Sequence, residues 1–212
     1  MKPVLVLGTR PYSAVFIDSF EGIPGLRFAA CVENMDRSRC AGRVLDLPIR
    51  WFEEIDDLRD SHALICTLGT TLREGWVTQM EARGFGFTTL VHPSAVVSRR
   101  TALGPGVAVD AGAVIAGFST LDPHVRIGRR ASIGHHTVIG RCSTVHPGSV
   151  ISGNCRIGRQ VTVGTGAVII DGIEIGDGAV IAAGAVVTRP VEAGAMVAGN
   201  PAVLKRAGAG PR

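Results

Sequence analysis

Lysine is nearly missing from this 212-residue chain: Lys2 and Lys205 are the only two, and the other 20 of its 22 basic residues are arginine. Aromatics are scarce too, at 5%, with one tyrosine and two tryptophans. No dense basic run with interleaved aromatics exists, so the net charge of +4 is not the footprint of a nucleic-acid binder. It reads as an arginine-rich surface that can attract a phosphate-bearing ligand. The five cysteines (Cys31, Cys40, Cys66, Cys142, Cys155) form no CxxC pair and no metal-type spacing. They are expected as reduced thiols of a cytoplasmic protein. No apolar run approaches membrane-spanning length, and the N-terminal residues lack the charged, apolar, small order of a signal peptide. At 46% hydrophobic and 19% charged residues, the composition excludes a disordered chain.

What the chain has is a six-residue repeat. From Val91 to Val187 an aliphatic residue recurs at every sixth position, seventeen times in register. A short apolar or small residue follows each one four positions later, among them Ala113, Ser119, Cys155 and Ala185. Period six fits neither an α-helix nor a simple alternating strand. It predicts a parallel β-helix in which each hexad makes one short strand and one turn. Residues eighteen apart then stack on one face of successive coils. Gly follows the aliphatic residue directly in seven hexads, Gly104 and Gly128 among them. Seven glycines also sit three residues after it, as at Gly106 and Gly184. Both placements are expected at corners that need unusual backbone angles.

Residues 1–90 read differently. Short aliphatic strands are expected at Val4–Leu7, Phe28–Val32, Ala63–Leu68 and Phe87–Val91. Helices are expected at Tyr12–Phe20 and Thr70–Arg83, the second closed by Gly84. Alternating strands and helices imply a small Rossmann-like parallel α/β domain, with ligands beyond the carboxyl ends of the strands. Gly8–Tyr12, Glu33–Asn34 and Gly69–Arg73 lie at those ends. The expected organisation is an acceptor-binding domain over 1–90 and a β-helix with its terminal cap over 91–206. A frayed Gly/Pro-rich tail is expected over 207–212.

The flat sides of a β-helix make outward side chains conspicuous. His135 projects two residues after the inward Ile133, with Gly117 one coil before it and Gly153 one coil after. An imidazole with glycine above and below has room for a ligand, and it can take a proton near neutral pH as a general base must. His146, flanked by Gly128 and Gly164, is the rival and a candidate ligand contact.

The strand–glycine start, the Val91–Ser98 junction (VHPSAVVS), the SIGHHTVIG segment and the closing GNPA together resemble the sugar acetyltransferases of the sialic-acid O-acetyltransferase type. That family includes bacterial nucleotide-aminosugar N-acetyltransferases, and the resemblance covers nearly the whole chain. It implies a left-handed β-helix and a homotrimer. It also implies acetyl-CoA in the groove between two subunits and a nucleotide-sugar on the N-terminal domain. His135 matches the family's catalytic histidine, and the carboxylate that often follows it is His136 here. The asparagine commonly found seven residues before the base is Gly128. Thr144 stands where a CoA-contacting histidine can occur, with His146 two residues on. Thr165 and Ala183 match other CoA-contacting positions, and Lys205 is placed to meet a CoA phosphate. For the acceptor, the usual GxGGH-like loop is replaced by Gly8-Thr9-Arg10-Pro11-Tyr12. Glu33, Asn34 and Gly69 match further contacts. Arg10 can pair with phosphate through two parallel hydrogen bonds.

The implied function is acetyl transfer from acetyl-CoA to a sugar amine or hydroxyl, with no metal. Two other readings share the fold. A trimeric binding or scaffold protein would keep the architecture and lack the chemistry. A hydratase of the carbonic-anhydrase type would hold zinc by three histidines from two chains. Against the hydratase, no two of His124, His135, His136 and His146, the histidines expected at the surface, lie eighteen apart.

Overall fold

The computed structural model describes residues 2–208; the last four positions of the expected tail, 209–212, lie outside the described residues. Before Phe85 the chain builds a five-stranded sheet in the order β3-β4-β2-β1-β5. Its strands are β1 (Val4–Leu7), β2 (Phe28–Glu33), β3 (Arg43–Val44), β4 (Leu47–Trp51) and β5 (Ala63–Cys66). β1 pairs in parallel with β2 and β5. Alternation along β1 sends Val4 and Val6 toward helix α1 (Pro11–Phe20), where they meet Phe16, Ile17 and Phe20. Leu5 and Leu7 face helix α2 (Arg73–Ala82) and meet Trp76, Val77 and Met80. A central parallel strand buried on both faces needs this continuous aliphatic run.

Three details depart from the sequence expectation. The hairpin β3–β4 extends the sheet beyond β2, although its sequence RVLDLPIRW alternates weakly and carries Pro48. Helix α2 begins at Arg73 rather than Thr70. The segment expected as one strand over Phe87–Val91 splits: Phe87 bridges Leu64, whereas Leu90–Val91 pairs with Ala108–Val109 of the β-helix.

The rest is a left-handed parallel β-helix of two-residue strands on three flat faces. Face I carries Leu90–Val91, Ala108–Val109, Arg126–Ile127, Thr144–Val145, Thr162–Val163 and Val180–Ile181. Face II runs from Val96–Val97 to Val186–Val187, and face III from Ala102–Leu103 to Glu174–Ile175. Every pairing is offset by eighteen, as in Ile115↔Ile133 and Ile133↔Ile151. The second residue of each strand points inward, so each coil stacks three aliphatics on the three below, backed by small residues such as Ala131, Cys155 and Ala167. Each fully buried aliphatic contributes roughly 1.5–3 kcal/mol. The far end is covered by Met196–Ala198 on face I and the antiparallel strand Val203–Arg206.

The two halves meet where α2 crosses the edge between faces III and I. Arg141 pairs with Glu81 at 2.6 Å and lies 3.5 Å from Glu74. Arg159 also binds Glu74.

Candidate active site

The repeat places its outward residues on three edges. His135 and His136 sit in the turn between faces II and III, after the strand Ser132–Ile133. Both rings are exposed, and their Nδ1 atoms lie 3.1 Å apart, a hydrogen bond in which one ring donates and the other accepts. His136 stacks on Phe118, one coil earlier, with centroids 4.9 Å apart and planes 20° from parallel. The Arg100 guanidinium lies over the Phe118 ring, 5.2 Å from its centroid. The His136 backbone has φ 56°, a left-handed conformation.

Gly117 and Gly153 do not leave equal space around His135. A Cβ built on Gly153 would lie 2.8 Å from His135 Cε1 and 2.9 Å from Nε2, so the imidazole itself leans over that glycine. The same Cβ would lie 2.9 Å from Asp171 Oδ1. Asp171 is two coils beyond His135 in the same column, and nothing but that spacing announces it in the sequence.

The second constellation is a cavity of about 280 Å³ at the junction of the two halves, lined by Tyr12, Gly69, Asp110, Arg126, Gly128, Arg129, Thr144, His146 and Pro147. It brings together four residues picked from the sequence: Tyr12, Gly69, Thr144 and His146. Arg126 is buried, donates to Tyr12 Oη and to the Thr67 carbonyl, both at 2.9 Å, and lies 4.0 Å from Asp110. Burial raises the Asp110 carboxyl above its ordinary range, against the opposing pull of Arg126 and Arg129. Burial lowers the His146 pKa, helped by Arg126 and Arg73. Thr144 departs from its expected role, because its hydroxyl accepts from Arg73 at 2.8 Å and is buried beneath the N-terminal domain. Gly128 cannot carry the family's asparagine without a shift, since a Cβ there would lie 2.7 Å from Pro147 N.

At the carboxyl ends of β1 and β2, Gly8, Thr9, Glu33 and Asn34 cluster as expected from the topology. The Glu33 carboxylate, however, is already saturated. Its Oε1 accepts from the N–H groups of Asn34 and Met35 at 2.9 and 2.8 Å. Its Oε2 accepts from the Thr9 hydroxyl and lies 3.2 Å from Arg39 Nε. Burial would raise its pKa, but the Thr9 hydroxyl and the Met35 and Asn34 N–H groups outweigh that and hold it below the ordinary carboxylate range. Glu33 therefore shapes the loop, and Arg39, which also donates to the Thr9 carbonyl at 2.5 Å, is a cation the sequence did not single out. Arg10 caps α1 from an exposed position, with no side-chain hydrogen bond to the helix.

Thr165 and Ala183 are exposed on the edge between faces I and II, continuing the column of Pro147. Lys205 is exposed on the terminal strand. His124, expected at the surface, is 1% exposed: its Nε2 lies 2.9 Å from Glu81 Oε1 and its ring packs edge-on to Phe87. Among the described residues no group of three or more His, Cys, Asp or Glu side chains could hold a metal ion. No helix among them is long and apolar enough to cross a membrane. A groove of about 750 Å³ runs open along face III between Arg141, Arg156, Glu174 and Glu192 and holds none of the expected site residues. Its open, shallow form makes it a poorer site than the junction cavity.

Comparison with known proteins bears on the whole chain. Residues 154–189 match the family described as bacterial transferase hexapeptide (six repeats). PerB from Caulobacter crescentus, solved with CoA and GDP-perosamine, is 30% identical; the match covers 97% of this chain and 98% of that one, with a TM-score of 0.88. The acetyltransferase domain of PglB from Neisseria gonorrhoeae, solved with acetyl coenzyme A, is 27% identical over 96% of this chain and 99% of that one, with a TM-score of 0.84. No curated protein matches the sequence. The chain belongs to the hexapeptide-repeat acyltransferases of the sialic-acid O-acetyltransferase and nucleotide-aminosugar N-acetyltransferase type.

Proposed function

We propose that this chain transfers an acetyl group from acetyl-CoA to an amine or hydroxyl of a nucleotide-linked sugar, with His135 as general base. The observation that carries the reading is the exposed His135 imidazole, tied through Nδ1 to His136 on a glycine-flanked edge. For Nε2 to accept a proton, His135 must carry its hydrogen on Nδ1 and donate it to His136. A neutral His136 then takes the place of the family's carboxylate, fixing the tautomer and ring orientation while adding less basicity. His135 removes a proton from the acceptor as that group attacks the thioester carbonyl, and the same proton returns to the departing CoA sulfur. Backbone N–H groups of a neighbouring coil stabilise the oxyanion formed between.

The working assembly in this reading is a homotrimer. Outward Val96, Val114 and Val150 leave face II apolar and 64%, 44% and 39% exposed. The two edges of that face carry the two halves of the expected chemistry: His135 on one, Thr165 and Ala183 on the other. One chain cannot bring these edges together. Packing face II against neighbouring copies would, with acetyl-CoA between Thr165 and Ala183 of one subunit and His135 of the next. The nucleotide-sugar would extend from the Gly8–Thr9 loop of the N-terminal domain, with Arg10 and Arg39 near its phosphates and Gly69 and Tyr12 beside the sugar. The free cysteines fit a cytoplasmic enzyme.

The test is calorimetry with acetyl-CoA on wild type and His135→Ala, followed by turnover with a panel of nucleotide-linked amino and hydroxy sugars. Binding to both proteins is expected. So is a loss of turnover in the variant of about 10²–10⁴-fold, the usual worth of a general base. No acetyl-CoA binding by wild type would leave the scaffold reading in its place.

A further inference from the structure

Asp171 stands out among the charged groups of the β-helix. It is exposed, and among the described residues no cation pairs with it, in a chain with 22 basic residues. Its protein partner is the Asn154 side-chain amide, which reaches both carboxylate oxygens, at 3.3 and 3.4 Å. Its Oδ1 and His135 Nε2 both close in on the bare Gly153, each 2.9 Å from where a Cβ would sit and too near to admit one. The nitrogen that receives the acceptor's proton thus works beside a fixed negative charge with no cation of its own.

From this geometry we infer that Asp171 is the residue that selects an amine over a hydroxyl acceptor. The inference rests on the acetyltransferase reading above. A sugar amine reaches neutral solution largely as an ammonium, and its three N–H donors and positive charge match an unpaired carboxylate. A hydroxyl brings one donor and no charge, so it gains less there. The carboxylate also favours the attack itself. One ammonium proton leaves to solvent, and the neutral nitrogen then forms its bond to the thioester carbon. At that moment the nitrogen becomes positive and the carbonyl oxygen negative. Asp171 stabilises the positive nitrogen while His135 Nε2 takes its second proton. The C–S bond then breaks, His135 returns that proton to sulfur, and the products are the N-acetyl sugar, CoA thiol and the one proton released. Gly153 is what allows this arrangement, because any side chain at that coil would separate the carboxylate from the imidazole.

The test compares wild type, Asp171→Asn and Asp171→Glu with the best amino-sugar nucleotide from the panel and with the analogue bearing a hydroxyl in place of its amine. Asp171→Asn keeps the shape and removes the charge. Its KM for the amine should rise about tenfold to a hundredfold, the worth of one charge-assisted contact, with KM for acetyl-CoA unchanged within twofold. Its preference for amine over hydroxyl in kcat/KM should fall by a similar factor, and Asp171→Glu should recover part of it. An unchanged amine KM in Asp171→Asn, or a wild type that prefers the hydroxyl analogue, would overturn the assignment while leaving the acetyltransferase reading intact. A wild type that acetylates neither class removes both.

Discussion

Arg73 donates to the hydroxyl of Thr144 at 2.8 Å, and this contact across the junction belongs to a guanidinium whose five N–H groups all find oxygen. Nε and Nη2 reach the His124 carbonyl at 3.1 and 2.8 Å, Nη2 the Ser143 carbonyl at 2.9 Å, and Nη1 the Thr70 carbonyl at 2.8 Å. The side chain is 1% exposed and forms no ion pair with a carboxylate among the described residues, so carbonyl dipoles and one hydroxyl hold the charge. Burial drags its pKa down to about 10, still protonated at neutral pH. Lysine keeps the charge but offers three donors in place of five. Arg73→Lys should therefore lower stability by about 2–4 kcal/mol, and Arg73→Met by more, since it strands several buried carbonyls at once. Equilibrium denaturation would measure it, with limited proteolysis locating the loosened part in the α/β half. A stable Arg73→Met would mean the junction is held by α2 packing alone.

His124 links stability to pH. Burial lowers its pKa despite the Glu81 carboxylate, and its Nδ1 faces Gly106 with no hydrogen-bond partner, so a second N–H there would have nothing to donate to. The folded His124 pKa lies below the unfolded value of about 6.5, so the unfolded chain takes up the proton first. Its stabilising effect is complete above that value and is lost as pH falls below it. Glu81 acts in the same direction further down. Burial raises its carboxyl, but hydrogen bonds from Arg141 and His124 win and lower it, so its share disappears on acidification below the ordinary glutamate range. Unfolding free energy should thus drop between pH 7 and pH 5. His124→Gln, which keeps a donor for Glu81 and cannot titrate, should flatten that slope; His146, also lowered, keeps it from vanishing. Identical slopes in both proteins would remove His124 from the account.

Face II supplies a prediction about assembly. A charge in the middle of its valine column costs little in a lone chain, where Val114 is 44% exposed, but is buried when copies pack. Val114→Asp should sediment as a single chain where wild type sediments as three, and turnover should fall with assembly because His135 and Thr165 lie on different edges. An assembled Val114→Asp would move the contact to another face, and a wild type that sediments as one chain would remove the trimer.

The fold was legible because period six is a geometric constraint that every hexad repeats. Seventeen aliphatics in register determine three faces and an eighteen-residue stack without help from elsewhere. The α/β half was read from aliphatic runs, and it failed where the run was weak, at the β3–β4 hairpin. The site was legible only in part. His135 projects from a flat wall and can be read from the stack, and by the same rule Asp171 could have been found at twice the coil length. Arg73, Arg126 and Asp110 could not, because they matter where the two halves touch, and no local pattern encodes that contact. Glu33 and Thr144 sit where their positions suggested, yet internal partners occupy them, and hydrogen-bond saturation is invisible in a sequence.

His136 occupies a left-handed backbone slot that some coils give to glycine and others to residues such as Phe118, Arg130 and Asn154. The residue three after the inward aliphatic takes a left-handed conformation in most coils: Gly106, Gly112, Gly148 and Gly166 have φ between 66° and 71°, and His136 has 56°, close to Arg130 at 57° and Asn154 at 57°. A side chain in that region costs about 1–2 kcal/mol against its Cβ clash, partly offset here by the Phe118 stack. His136→Gly should fold at least as well as wild type, within about 1 kcal/mol on either side, while its turnover falls because His135 loses the acceptor that fixes its tautomer. His136→Glu should restore turnover, since a carboxylate accepts the same Nδ1–H and adds basicity. Thermal unfolding and steady-state kinetics on the three proteins separate the two effects. A His136→Gly variant with unchanged kcat would show that the His135–His136 hydrogen bond does no catalytic work, and His135 would then have to be oriented by Gly153 and Asp171 alone.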